Sequence, residues 1–112
     1  MNFKDLEQKL LQFSEKYDLV NTAMVSCRTA ISNTAADFPG EGHPIDEVDI
    51  KFERLYFVFS QDLFSSSLVK TQLGLYYVGK ISTEITEPKR FGQYTLDTDE
   101  YGAMIDDWLV YK

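Results

Sequence analysis

Apolar residues recur at spacings of three and four near the start of the chain, with mostly charged residues between them. This period predicts an amphipathic α-helix from about residue 3 to residue 17. Asn2 is placed to cap the N-terminus of this helix through its side-chain oxygen. The apolar stripe consists of Phe3, Leu6, Leu10, Phe13 and Tyr17.

The segment 19–32 fits two patterns. The helical spacing continues through Val20, Met24, Cys27 and Ile31. The residues from Ala23 to Ile31 also alternate as a strand does, and many are β-branched or small and polar, which weakens a helix. We therefore expect a strand at about 22–32, with a second helix as the alternative.

The rest of the chain carries strand patterns. "EVDIKF" alternates apolar and polar residues, and "LYFVF" continues it, which predicts one long strand with a bulge near Glu53–Arg54. "QLGLYYVGKISTEI", "FGQYTL" and "AMIDDWLVYK" predict further strands. A polar loop at 32–44 and a short helical turn in "SQDLFSSSLVK" separate these segments. The whole pattern predicts one α+β domain over residues 1–112, with the N-terminal helix packed on a mainly antiparallel sheet of four to five strands.

The stretch "LDTDEYGAMIDDW" partly resembles a calcium-binding loop. Asp97, Asp99 and Gly102 match loop positions 1, 3 and 6, but Tyr101 and Trp108 stand where oxygen ligands are needed. A β-hairpin turn explains the same residues, with Gly102 supplying a positive φ. We therefore expect a hairpin and no specific calcium binding, although residues 101–111 also carry a helical apolar spacing.

Charge and cysteine content narrow the function classes. The net charge is −7, from 18 acidic and 11 basic residues, which opposes contact with the phosphates of a nucleic acid. No apolar run approaches the ~20 residues that span a bilayer, and the N-terminus has no signal-peptide pattern. A single cysteine, Cys27, is typical of a reducing compartment. We expect a cytoplasmic protein without nucleic-acid or membrane contact.

Catalytic and metal-binding motifs are weak in this sequence. His43 lies beside Glu41, Asp46 and Glu47, but without the spacing of a metal site, and Cys27 has no neighbour that would activate its thiol. Asp106 and Asp107 are adjacent, so in a strand they point to opposite faces. We expect no metal, no cofactor and, on balance, no enzyme.

Three predicted strand segments are apolar on both sides, so a sheet that contains them needs another element packed on each face. "LYFVF", "LYYV" and "WLVY" are apolar on both faces of the expected sheet, whereas one helix covers one face. We expect Phe57 and Trp108 in the core. Three covers are open for the second face: a curl of the sheet around a cavity, a second helix formed by residues 19–32, or a protein partner, most simply a second copy.

Two functions follow from this reading. The first is a protein–protein interaction module of the adaptor, chaperone or inhibitor (immunity) type. The second is a curled α+β domain whose aromatic cavity binds a small ligand or performs acid/base chemistry with Asp106 or Asp107. The candidate ligand or interface residues are Tyr56, Tyr76, Tyr94, Asp106, Asp107 and Trp108.

Overall fold

The computed structural model describes residues 2–34, 48–59, 67–77, 80–81, 84–85 and 89–111, with the backbone alone at 80, 81, 84 and 85. The elements are α1 (Phe3–Lys16), α2 (Leu19–Asn33), β1 (Val48–Val58), β2 (Leu68–Tyr77), β3 (Lys80–Ile81), β4 (Glu84–Ile85), β5 (Lys89–Thr98) and β6 (Met104–Tyr111). Four strands form an antiparallel sheet in the order β1-β2-β5-β6, and β3 pairs with β4. Two helices precede the strands, so the predicted α+β class is confirmed.

The first helix begins and ends as its sequence predicts. The Asn2 side chain accepts a hydrogen bond from the Asp5 backbone N–H at 2.9 Å, which satisfies one of the free N–H groups at the helix start. Asp18 then adopts the left-handed conformation, with φ 51° and ψ 45°, and separates α1 from α2. A short polar side chain tolerates this conformation better than most residues do.

The strand predicted at 22–32 is wrong, because these residues form α2. Its buried residues are four apart, from Leu19 through Ala23 and Cys27 to Ile31, and they lie against the sheet. Small residues in this stripe let the helix approach the strands closely. The alternating pattern fails at Val25, which points to solvent.

The sheet register defines two faces. One row across the four strands is Phe52, Leu73, Tyr94 and Leu109, and we call its side the helix face, because α2 packs there. A row on the opposite side, the outer face, is Tyr56, Lys70, Asp97 and Asp106. The predicted bulge lies between Phe52 and Arg54, where Glu53 has no partner in the register.

The outer face corrects the expectation of a sheet that is apolar on both sides. Beside the row just named lie Arg54, Gln72, Thr95 and Trp108, so polar groups dominate. Phe57 and Trp108 are also not core residues, since 62% of Phe57 and 46% of Trp108 is exposed. Both lie on edge strands, where fewer neighbours cover a side chain.

The predicted hairpin at "DTDEYG" is confirmed between β5 and β6. The Asp99 carboxylate accepts hydrogen bonds from the backbone N–H groups of Tyr101 and Ala103, and Gly102 has φ 76°. The predicted loop at 32–44 is wrong at its first two residues, Ser32 and Asn33, which end α2. Residues 35–44, with His43, and residues 60–66 of the predicted helical turn lie outside the described residues.

Candidate functional site

An open apolar groove of about 650 Å³ lies between α1 and one end of the sheet. Leu6, Leu10 and Phe13 form the wall on α1. The opposite wall comes from residues near the ends of β1 and β2, namely Phe57, Leu68 and Val69. The walls of the groove are mostly apolar, as is typical of binding sites, and we treat it as the candidate functional site.

The apolar stripe of α1 is only partly covered. The only buried residue of this helix is Ser14, and 87% of Phe3 and 48% of Leu6 is exposed. Because α1 packs chiefly on α2 rather than on the strands, the side of α1 that borders the groove lacks a full set of neighbours. An amphipathic helix normally derives most of its stability from burying such a stripe.

The hairpin turn fixes the C-terminal end of α1. A Cβ at Gly102 would clash with the Tyr17 ring, so the turn and the ring are in direct contact. Tyr17 also packs edge-on against Phe13, with ring centroids 5.0 Å apart. The position of Phe13 at the groove therefore depends on the β5–β6 turn.

Charged side chains surround the apolar groove. Glu7 and Lys9 come from α1, and Asp99 and Glu100 come from the β5–β6 turn. Three acidic groups and one basic group give this rim a net negative charge. Glu7 and Glu100 are exposed, so their carboxylates are free to meet a partner's charges.

The outer face carries a different arrangement, a hydrogen-bonded network around Glu53. Its carboxylate accepts two hydrogen bonds from Arg90, at 2.8 and 3.0 Å, one from Gln72 at 2.9 Å and one from Tyr76 at 2.8 Å. Gly74 leaves room for it, since a Cβ there would come within 2.5 Å of the carboxylate. The hydrogen bonds from Arg90 lower the pKa of Glu53 to about 2.

A second cluster on the outer face joins Lys70, Asp97 and Trp108. The Lys70 ammonium lies 3.1 and 3.2 Å from the carboxylate oxygens of the buried Asp97. It also lies 4.6 Å from the centroid of the Trp108 ring, which is a cation–π contact. Trp108 therefore shields an ion pair rather than lining a closed cavity.

The structure separates the six residues that the sequence nominates. Tyr56, Tyr76, Asp106 and Trp108 lie on the outer face, and the two tyrosines donate to Gln72 and Glu53. Tyr94 is fully buried on the helix face and donates to Asp107 at 2.8 Å. Burial raises the pKa of Tyr94, and the hydrogen bond to the Asp107 carboxylate raises it further.

None of those six residues lines the groove, so sequence reasoning missed the candidate site. The sequence feature that indicates the groove is the apolar stripe of Leu6, Leu10 and Phe13, but such a stripe is equally typical of a helix face packed in the core. Cys27 is buried, and burial raises its pKa to about 12, which opposes a nucleophilic role.

Comparison with protein-family models, with curated proteins and with solved structures found no match for this chain. Among the described residues, neither helix has the length and apolar character needed to cross a bilayer. Within the same residues, no three His, Cys, Asp or Glu side chains are grouped as a metal site.

Proposed function

We propose that this chain is a protein–protein interaction module that holds a segment of another protein in the groove beside α1. The observation that carries the proposal is the exposed apolar stripe of α1, which faces Phe57, Leu68 and Val69 across open space. Contiguous apolar surface of this kind is typical of binding sites. A partner that covers a few hundred Å² of it would contribute several kcal/mol at roughly 25 cal/mol per Å², before the costs of association.

A small apolar ligand is the second candidate occupant. The volume of about 650 Å³ is within the range of small-molecule sites. Such sites also place a few polar groups to orient the ligand, and the groove walls are almost entirely apolar. Acid/base chemistry by Asp106 and Asp107 has less support, because the two carboxylates lie on opposite faces of the sheet and do not converge on one substrate.

The partner is either an unlike protein or a second copy of this chain. A homodimer would use the apolar stripe of α1 rather than the outer face of the sheet, because polar groups dominate that face. Sedimentation at tens of micromolar separates the two cases. A dimer that Leu6→Gln dissociates would support a second copy as the partner.

The proposed function is tested by immobilising the protein and identifying the proteins that it retains from an extract of the native cell. Leu6 and Leu11 lie on the same helix and are similarly exposed, at 48% and 44% respectively, but only Leu6 lines the groove. Leu11 is therefore the matched control position. We expect the immobilised wild type and Leu11→Gln to retain the same proteins, and Leu6→Gln to lose at least one of them. If all three capture the same set in equal amounts, the groove is not the binding site.

A further inference from the structure

We infer that the occupant of the groove is an amphipathic helix whose apolar stripe is flanked by lysine or arginine residues. This inference rests on the proposed function and adds the chemistry of the partner. Two observations support it: the geometry of the wall formed by α1, and the charge of the rim.

The wall on α1 has the geometry of a helix–helix contact. Leu6, Leu10 and Phe13 follow one another at spacings of four and three, so they form a ridge about 10 Å long at a rise of 1.5 Å per residue. Ridges at this spacing pack into the grooves of a second helix. A partner helix with three apolar residues over two turns would match this length.

The rim selects the charge of that helix. Glu7, Asp99 and Glu100 outnumber Lys9, and the chain as a whole carries a charge of −7. A second copy would bring its own acidic rim against this one, because a two-fold interface places the same surface on both sides. Lysine or arginine flanks would instead pair with the rim and would speed the encounter.

Two labelled peptides test this inference. Each has about 18 residues, with three leucines at helical spacing on one face and neutral residues elsewhere. One peptide carries two lysines at each end, and the other carries two glutamates at each end. Fluorescence anisotropy measures their affinities at about 20 mM and about 300 mM salt, which span weak and strong screening.

We expect the lysine peptide to bind about tenfold more tightly at low salt, and this difference to shrink at high salt. Glu7→Lys combined with Glu100→Lys should reverse the preference, since both positions are exposed on the rim. Glu15→Lys is the matched control, because Glu15 is exposed on the same helix but lies outside the groove. It should leave the preference unchanged.

Each other result overturns the inference in a distinct way. Equal binding of the two peptides, or tighter binding of the glutamate peptide, would refute the basic partner and leave the groove as a protein-binding site. A homodimer that Leu6→Gln dissociates would replace the basic helix with a second copy. If neither peptide binds, the helical occupant is wrong, and the proposed function fails as well only if capture also fails to separate Leu6→Gln from Leu11→Gln.

Discussion

At the scale of the residue, Glu53 shows why the outer face of the sheet is polar, although the sequence pattern predicts an apolar face there. The carboxylate reaches across β2 to Arg90 on β5 because it leaves the register at a bulge and because Gly74 beneath it has no side chain. Four donors satisfy it, so the outer face is stable without an apolar partner. Tyr76 on this face therefore serves as a donor to the Glu53 carboxylate.

Stability between pH 2 and pH 5 should depend on Glu53. Its folded pKa of about 2 lies below the ordinary glutamate pKa of 4.5, which applies in the unfolded chain, so the unfolded chain binds an extra proton between these two values. The stabilisation is full above pH 4.5 and is lost as the pH falls through the folded pKa. We expect it to be on the order of 1–2 kcal/mol, because solvent reaches Arg90 and screens the pair.

Urea denaturation from pH 2 to pH 7 measures this effect. The free energy of unfolding of Glu53→Gln should vary less with pH over this range than that of the wild type. Glu15→Gln, an exposed carboxylate on α1, should follow the wild type. Equal slopes for Glu53→Gln and the wild type would refute the network.

Sequence reasoning succeeded at residues whose role is local. Asn2 caps a helix and Gly102 occupies a left-handed turn, and both roles depend on neighbours a few positions away. It failed at Trp108 and Phe57, because burial at an edge strand depends on which elements pack there. An apolar run does not carry that information.

At the scale of the element, α2 shows why the predicted strand at 22–32 is wrong. Their β-branched and polar residues disfavour a helix when the chain is considered alone. Packing against the sheet outweighs this preference, since the buried stripe of Ala23, Cys27 and Ile31 fits closely against the strands. Arg28 adds a hydrogen bond to the Val48 carbonyl at 3.0 Å, which joins α2 to β1.

The contact between Gly102 and Tyr17 should hold α1 in place. Gly102→Ala would force an alanine into a left-handed conformation, which costs about 1–2 kcal/mol, and would also press its Cβ on the Tyr17 ring. A double-mutant cycle separates the two costs. In a Tyr17→Ala background, Gly102→Ala should lower the free energy of unfolding by at least about 1 kcal/mol less than it does in the wild type. Residues in contact typically show coupling energies of about this size, and chemical denaturation measures them. A coupling energy of zero would show that the turn does not position α1.

At the scale of the whole molecule, the sequence predicted the right class of fold but did not predict that α1 carries uncovered apolar surface in addition to that of the edge strands. The strand segments look apolar on both faces, yet the bulges and the polar tips of the tyrosines give the sheet a polar outer face. The helix that seemed to be the cover, α1, is the element whose apolar stripe is left half exposed. Such an error arises because a periodic stripe predicts a helix face but not what packs against it.

Photo-crosslinking in the native cell tests the central claim, that α1 and the strand ends hold a partner protein. A photoreactive phenylalanine analogue replaces Phe57, which lines the groove, or Phe52, an exposed residue of the same strand outside it. We predict a crosslink to another protein chain from position 57 and none from position 52. No crosslink from position 57, or equal crosslinking from both positions, would contradict the account.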